Sequence, residues 1–168
     1  ISRSLRKVLR KQQFEIRFDT AFQQVIKACA DVRTEQGEGT WIIPEMQQAY
    51  TELHQEGFAH SVESWQDGKL AGGLYGISLG QCFFGESMFS TRNDSSKVAL
   101  AALAEFCREV GIKMIDCQMT TAHLLSLGAK EIRREIFLKK LKRHLEQPTL
   151  KGSWNCGSAS VKTNIFQN

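Results

Sequence analysis

The sequence predicts an α+β fold, in which helices pack against a mostly antiparallel sheet. Apolar residues recur at helical spacing toward both ends of the chain, whereas residues 59–86 form three short segments with strand-like patterns. Asp67-Gly68 joins two of these segments and is a strong tight-turn signal. The 168 residues are 42% hydrophobic and 24% charged, which is the balance of one ordinary globular domain that can fold without a disulfide or a metal.

Six helices are predicted, over residues 4–11, 20–30, 44–56, 96–110, 121–127 and 134–145. The first is expected to be short and exposed. Pro44 suits a first helical turn, residues 93–96 are good N-caps, and Gly111 marks a helix end. The expected buried faces consist of Phe22, Val25, Ile26, Cys29, Met46, Ala49, Tyr50, Leu53, Ala99, Ala102, Leu103, Phe106, Cys107 and Val110.

Strands over residues 59–65, 69–76 and 81–86 are predicted to form an antiparallel meander. A fourth strand, over residues 112–118, follows a helix, and this order favours a parallel crossover. Residues 147–168 are polar and show no usable periodicity, so we expect them to be irregular.

Positive charge is concentrated near the two ends of the chain. Residues 1–17 and residues 130–145 each carry a net charge of +5, whereas residues 18–129 carry −7. An acidic body with basic ends is typical of a protein that holds a polyanion such as a nucleic acid. Two solvated helix faces would explain the same pattern equally well.

The cysteines indicate reduced thiols. There are five, they lie far apart, and none belongs to a Cys-x-x-Cys pair, which favours a reducing cytoplasm over a disulfide framework or a zinc site. His60 and His123 are isolated in the sequence, so we expect no metal. Because no apolar run approaches the length of a membrane span and no secretory leader is evident, we expect no membrane partner.

One candidate site combines glycines within strands, at residues 72–76, with a carboxylate among apolar residues, at 83–90. Such glycines indicate either close approach of a ligand or sharply bent strands. A carboxylate in apolar surroundings is costly unless it meets a cation. We therefore expect Glu86 to contact either the ammonium of a ligand or an internal Lys or Arg.

A second candidate site lies at residues 115–118. Strand alternation places Asp116 and Gln118 on one face, where an acid and an amide could together orient and deprotonate an incoming amine. An Asp that satisfies backbone donors at a turn is the alternative. Cys117 alternates to the opposite face and is expected in the core.

The order of strand, loop and helix is also the one with which N-acetyltransferases bind the pyrophosphate of coenzyme A. That mode needs backbone N–H groups bared by glycines at the helix N-terminus. The corresponding loop, residues 90–97, has no glycine and contains Asp94. The topology therefore fits an acyl-coenzyme A enzyme, but the phosphate site does not.

Several longer motifs follow one another along the chain. They are Gly37-x-Gly39-Thr40-Trp41-Ile42, Ala49-Tyr50-x-x-Leu53-His54, Ala59-His60-Ser61-Val62-Glu63-x-Trp65, Gly72-Gly73-Leu74-Tyr75-Gly76, Phe83-x-Gly85-Glu86-Ser87-Met88-Phe89-Ser90, Ser96-Lys97, Ile115-Asp116-Cys117-Gln118, His123 and Ser126-Leu127-Gly128-Ala129. In this order they closely resemble the bacterial leucyl/phenylalanyl-tRNA–protein transferases, over roughly residues 1–145.

The resemblance implies an N-acetyltransferase-like (GNAT-type) core that uses no cofactor and accepts aminoacyl-tRNA. It implies transfer of Leu, Phe or, less readily, Met to proteins whose first residue is Lys or Arg. This transfer marks the acceptor for N-end-rule degradation in the bacterial cytoplasm. We expect the enzyme to be a monomer.

The resemblance also implies roles for single residues. Asp116 and Gln118 would act on the attacking amine, either through a proton relay or by orienting it. Gly85 and Glu86 would belong to the substrate site, with Glu86 at the polar end of the substrate. The aminoacyl side chain would lie against Leu74, Phe83, Leu103 and Ile115. The tRNA acceptor stem would meet Arg3, Arg6, Lys7, Lys139, Lys140, Lys142 and Arg143.

Three segments follow from this interpretation: a basic segment at a domain junction (1–17), a GNAT-like catalytic domain (18–147) and an irregular tail (148–168). The chain begins with Ile1, and the resemblance implies a further N-terminal domain, rich in Trp and Pro, that completes the substrate site. A non-catalytic tRNA-binding remnant is the main alternative function. An acyl-coenzyme A N-acetyltransferase is a weaker one.

Overall fold

Among the residues that the structure describes, five strands form one sheet in the order in which they occur along the chain. The computed structural model describes residues 3–35, 37 and 39–155. Its strands are β1 (Glu15–Phe18), β2 (Ala59–Gln66), β3 (Lys69–Leu79), β4 (Cys82–Ser90) and β5 (Met114–Asp116). The first four pair antiparallel, and β5 pairs with β4 in parallel. The predicted α+β class, meander and parallel crossover are confirmed, and β1 lies outside the predicted strands.

In the described part of the chain, six helices flank this sheet. They are α1 (Arg3–Arg10), α2 (Phe22–Glu35), α3 (Pro44–Gln55), α4 (Ser95–Val110), α5 (Ala122–Ser126) and α6 (Arg134–Leu145). Successive residues of a strand point to opposite faces: Leu74 of β3 belongs to the core beneath α4, and Tyr75 belongs to the core beneath α2 and α3. Helices therefore cover both faces of the sheet.

Because both faces are covered, β2 buries polar side chains as well as apolar ones. His60, Ser61, Glu63 and Ser64 are all fully buried. A buried polar group needs a hydrogen-bond partner, so this strand requires polar groups from the loops around it.

Some helix faces differ from the prediction. α1 is not simply exposed, because Leu5 and Leu9 are buried in a cluster with Val98 of α4. A short basic helix can bury two leucines one turn apart and keep its charges in water. Ala49 of α3 is exposed, and Val110, the last residue of α4, is 40% exposed.

The segment after α6 is irregular but anchored. Residues 148–155 contain neither helix nor strand, and residues 156–168 of the predicted irregular tail lie outside the described residues. Trp154 is nevertheless only 3% exposed and belongs to the core between the sheet and α4. The N–H of Gly152 donates to the carbonyl of Gly57 (3.2 Å), and this approach leaves no room for a side chain at Gly57.

Candidate active site

The candidate site lies at the point where β5 ends and β4 continues without this neighbour. Their parallel register runs from Cys82–Met114 to Phe84–Asp116, after which β5 ends and β4 continues to Ser90. A strand edge that loses its neighbour presents backbone donors and acceptors to whatever lies beside it. Here the side-chain amide of Gln118 donates to the carbonyl of Gly85 across the gap (3.2 Å).

A turn brings Asp116 and Gln118 together. Gln118 adopts the left-handed region (φ 60°), and its N–H donates to Oδ1 of Asp116 (2.9 Å). The two residues are adjacent in space, as predicted, but the predicted cause is wrong: β5 ends at Asp116, so strand alternation does not place Gln118. The turn-capping role considered as the alternative for Asp116 is present in the structure.

This arrangement holds a carboxylate in place at an opening. Asp116 is half-buried and Gln118 is exposed. Gln118 is fixed by its backbone N–H at one end and its side-chain amide at the other. A positioned carboxylate of this kind can accept a proton from an ammonium or orient an amine.

A cavity of about 970 Å³ adjoins these groups. Leu100 and Ala104 of α4 form part of its apolar wall, and Phe137 of α6 lies on its lining as well. Ile115, Asp116 and Gln118 also line it, so Asp116 borders a space large enough for a small organic group.

Cys117 also lines this cavity, which corrects the expectation that it lies in the core. It is half-buried. Burial, and secondarily the Asp116 carboxylate, raise the pKa of the Cys117 thiol above its usual value. The thiol is therefore protonated at neutral pH and is a poor nucleophile.

Glu86 contacts a tyrosine rather than an internal Lys or Arg, and its expected contact with the ammonium of a ligand stays a prediction. Its carboxylate accepts a hydrogen bond from the hydroxyl of Tyr50 in α3. Burial, together with the charge of Glu86 and this hydrogen bond, raises the pKa of Tyr50 well above its ordinary value. Glu86 itself is only half-buried, so part of its surface is open to a substrate.

The apolar residues predicted to surround the aminoacyl side chain do form one cluster. Leu74, Phe83 and Leu103 are at most 4% exposed, and Ile115 packs against them from a less buried position. Ile115 and Leu100 border both this cluster and the cavity. They therefore separate the open space beside Asp116 from the closed apolar core.

The predicted tRNA contacts are surface residues. Arg6 and Lys7 of α1 are exposed, and the side chain of Arg3 lies outside the described ones. The α6 basic cluster, defined as Lys139, Lys140, Lys142 and Arg143, is also exposed.

The cavity and α6 are contiguous, because Arg134 and Phe137 in the first turns of this helix line the cavity. The far end of α6 is held by the N–H of Gln81, which donates to the carbonyl of His144 (3.0 Å). None of the described residues of α1 lines the cavity. The structure therefore joins α6, but not α1, to the candidate site.

Sequence patterns did not identify the buried polar groups at the β1–α2 corner. The Glu63 carboxylate accepts hydrogen bonds from the N–H groups of Thr20 (3.1 Å) and Ala21 (3.2 Å), and from both the Thr20 and Ser61 hydroxyls. It thereby caps the N-terminus of α2, where unpaired N–H groups favour an anion. The sequence feature that could have identified this cluster is Glu63, a charged residue in the middle of a buried strand.

Within residues 3–35, 37 and 39–155, no cluster of three or more His, Cys, Asp or Glu side chains could hold a metal ion. Nor does this part of the chain contain a helix with the length and hydropathy needed to cross a membrane.

The family model described as leucyl/phenylalanyl-tRNA protein transferase matches residues 1–142. The chain belongs to this family. It is 58% identical to the leucyl/phenylalanyl-tRNA–protein transferase of Desulfatibacillum aliphaticivorans, over 94% of this chain and 68% of that protein. It is 60% identical to the transferase of Aromatoleum aromaticum, over 99% of this chain and 70% of that protein. The resemblance and the predicted enzyme class, an aminoacyltransferase, are confirmed.

Solved structures support the predicted core. The aminoglycoside N-acetyltransferase AAC(6′)-Iy, in complex with a bisubstrate analogue of CoA, superimposes with a TM-score of 0.55 at 15% identity, over 72% of this chain and 93% of that one. A GNAT family acetyltransferase of Staphylococcus aureus gives a TM-score of 0.50 at 10% identity, over 71% and 94%. These likenesses confirm the N-acetyltransferase-like fold of this transferase family member.

Proposed function

We propose that this protein transfers Leu, Phe or, less readily, Met from aminoacyl-tRNA to the N-terminal Lys or Arg of acceptor proteins, which marks them for N-end-rule degradation. The observation that carries the proposal is the placement of the Asp116 carboxylate at the end of β5. There the N–H of Gln118 donates to it, and Asp116 is part of the lining of the 970 Å³ cavity. Family membership supplies the substrates, an aminoacyl-tRNA and a protein.

The reaction needs no ATP, because the aminoacyl ester is already activated. The neutral α-amine attacks the ester carbonyl, a C–N bond forms, and the bond from the carbonyl carbon to the ribose oxygen breaks. The proton lost by the amine is delivered, directly or through a relay, to the leaving ribose oxygen. Asp116 and Gln118 orient the amine and assist its deprotonation, which is the task that a fixed carboxylate beside an opening can perform.

The amino acid that is transferred is proposed to occupy the space between the β4 edge and the apolar cluster. Its side chain lies against Ile115 and, behind it, Leu74, Phe83 and Leu103. Its ammonium contacts Glu86, which is half-buried on β4 beyond the point where β5 ends. Gly85 has no side chain, which allows the substrate to approach the backbone of β4. An ammonium beside a carboxylate in apolar surroundings stabilises both charges.

The tRNA is proposed to bind along α6, since this helix starts at the cavity and exposes its basic cluster. Lys and Arg side chains that replace counterions supply most of the affinity of such contacts. Arg3, Arg6 and Lys7 of α1 are proposed to make a second, separate contact with the acceptor stem.

The start of α4 favours this function over that of an acyl-coenzyme A enzyme. Asp94 occupies the N-cap in the left-handed region (φ 67°) and its carboxylate bonds to Lys97 (2.6 Å). A pyrophosphate would meet this negative charge where a helix N-terminus would otherwise attract an anion.

The decisive experiment measures transfer of labelled Leu, Phe and Met from charged tRNA to peptides that begin with Lys or Arg. The matched control peptide is the same sequence with an acetylated N-terminus, which has no free amine. We expect labelled product only with the free peptide. Binding of charged tRNA without any product would support the tRNA-binding remnant, and saturable binding of acetyl-coenzyme A would support the acetyltransferase.

A further inference from the structure

The segment after α6 is held at three points. The N–H of Gly80 donates to the hydroxyl of Thr149 (2.8 Å), the N–H of Gly152 donates to the carbonyl of Gly57 (3.2 Å), and the N–H of Trp154 donates to Oδ2 of Asp19 (2.7 Å). These contacts tie residues 149–154 to the β3–β4 turn, the start of β2 and the β1–α2 corner. The backbone at Trp154 is thus fixed by a buried carboxylate.

The indole of Trp154 has a defined place in the core. Its ring stacks on that of His60 (centroids 3.7 Å apart, 4° between planes), and His60 in turn bonds to Asp19 through Nδ1 (2.9 Å). The indole also lies 4.7 Å from the ring of Phe106 and 5.8 Å from that of Phe83. Asp19 therefore positions both partners of the stack.

This placement puts Trp154 in the same apolar cluster as the proposed aminoacyl pocket. The cluster contains Leu74, Phe83 and Leu103, with Ile115 at the border of the cavity. The indole lies 5.8 Å from the ring of Phe83, a residue of that proposed pocket, and so limits the space open to a side chain that enters past Ile115. Protein interiors are packed too densely for such a group to yield freely.

We propose that Trp154 is a specificity-determining residue, which sets the depth of the pocket for the transferred amino acid and so the preference among Leu, Phe and Met. This inference rests on the proposed function. A smaller residue at position 154 deepens the pocket and favours the larger phenylalanyl side chain over the leucyl one. The segment after α6 would then be part of the substrate site.

The test compares Trp154→Phe and Trp154→Ala with the unmodified chain and with Trp65→Phe. Trp65 is a suitable control because it lies outside the cluster, on β2, with the Arg17 guanidinium 4.5 Å from its ring centroid. The probes are adenosines that carry Leu, Phe or Met in a non-hydrolysable 3′-amide, with affinities measured by calorimetry. Ratios of kcat/KM for transfer of the three amino acids are measured alongside.

We expect Trp154→Ala to raise the Phe-to-Leu affinity ratio about tenfold, since one or two methylenes in an apolar pocket are worth roughly 10–200-fold. Trp154→Phe should give a smaller shift in the same direction, and Trp65→Phe none. If Trp154→Ala fails to fold, the affinity ratio of Trp154→Phe tests the proposal.

An unchanged ratio in the folded Trp154 variants would overturn the inference, and so would an equal loss of affinity for all three probes, which is what a purely structural role predicts. If the unmodified chain binds the probes but transfers nothing, the proposed function fails while the binding ratio still decides the role of Trp154. Failure of the unmodified chain to bind any probe would overturn both.

Discussion

Replacement of Asp116 by Asn separates the chemical step from binding. The side-chain oxygen of Asn can still accept the hydrogen bond from the N–H of Gln118, which is 2.9 Å long in the structure, so the turn that places Gln118 should persist. What is lost is the negative charge and the ability to take a proton. A positioned acid–base group contributes about 10²–10⁴-fold to rate, which corresponds to roughly 2.7–5.5 kcal/mol of activation free energy.

The assay is single-turnover transfer from phenylalanyl-tRNA to a peptide that begins with Lys, with tRNA affinity measured in parallel. We expect the rate to fall about 10²–10⁴-fold while affinity stays within about twofold, because the lost interaction is made in the transition state. Asp67→Asn is the matched control, since Asp67 also lies in a left-handed turn but is exposed between β2 and β3. A near-normal rate for Asp116→Asn would refute the acid–base assignment. Loss of folding in that variant would show instead that the turn depends on the charge.

Three further outcomes are expected. Glu63→Ala should lower the free energy of unfolding by about 2–6 kcal/mol in urea titrations, because one buried and one partly buried N–H group at the start of α2 lose their acceptor at roughly 1–3 kcal/mol each; the exposed Glu15→Ala control should change it by less than about 1 kcal/mol. Alanine replacement of the α6 basic cluster should make the log–log salt slope of tRNA binding less negative by about 3 to 4, roughly 0.9 for each of the four lost phosphate contacts, whereas Lys27→Ala and Lys69→Ala should weaken binding little; an unchanged slope would remove α6 from the interface. Because burial raises the pKa of Tyr50, its protonated hydroxyl should stabilise the fold below pH ~10, and this stabilisation should be lost as pH rises further. The free energy of unfolding of Tyr50→Phe should therefore depend less on pH above ~10 than that of the unmodified chain. Parallel curves of unfolding free energy against pH for the two proteins would contradict this.

The elements that the sequence predicted well are those whose contacts are local. The bounds of α6 were predicted as 134–145 and observed as Arg134–Leu145. Three strands of the meander were also predicted, although β3 and β4 extend further than their patterns indicated. Helical and strand periodicity indicates which face of an element is buried. It therefore identifies a helix or strand even when it does not show which other element packs against that face.

The start of α4 shows where local signals stop being sufficient. Four consecutive residues at 93–96 are good N-caps, yet the N-cap Asp94 makes no side-chain capping bond and adopts a left-handed conformation. The hydroxyl of Ser95 instead donates to the carbonyl of Ala71 on β3 (2.8 Å). A tertiary hydrogen bond across 24 residues thus competes with the local cap. The sequence of residues 93–96 alone does not predict this bond.

The candidate site was predictable in its residues but not in its geometry. Asp116 and Gln118 were identified together, although a left-handed turn at Gln118 and not the pleat of a strand unites them. Trp154 carried no local signal, because its partners Asp19 and His60 lie far away in the sequence. Both features depend on contacts that exist only after the sheet has formed.

The N-acetyltransferase-like fold does not by itself select the substrate, since one fold supports many chemistries through differences in its sites. Two local features distinguish the site of this chain. Asp94 and Lys97 occupy the start of α4 with an ion pair, and Asp116 at the end of β5, with Gln118 after it, lines the cavity. The first removes the reason for a pyrophosphate to bind there, and the second supplies a group that can act on an amine. An aminoacyl-tRNA, whose carbonyl is already activated as an ester and whose phosphates we propose to bind α6 outside the sheet, satisfies both conditions.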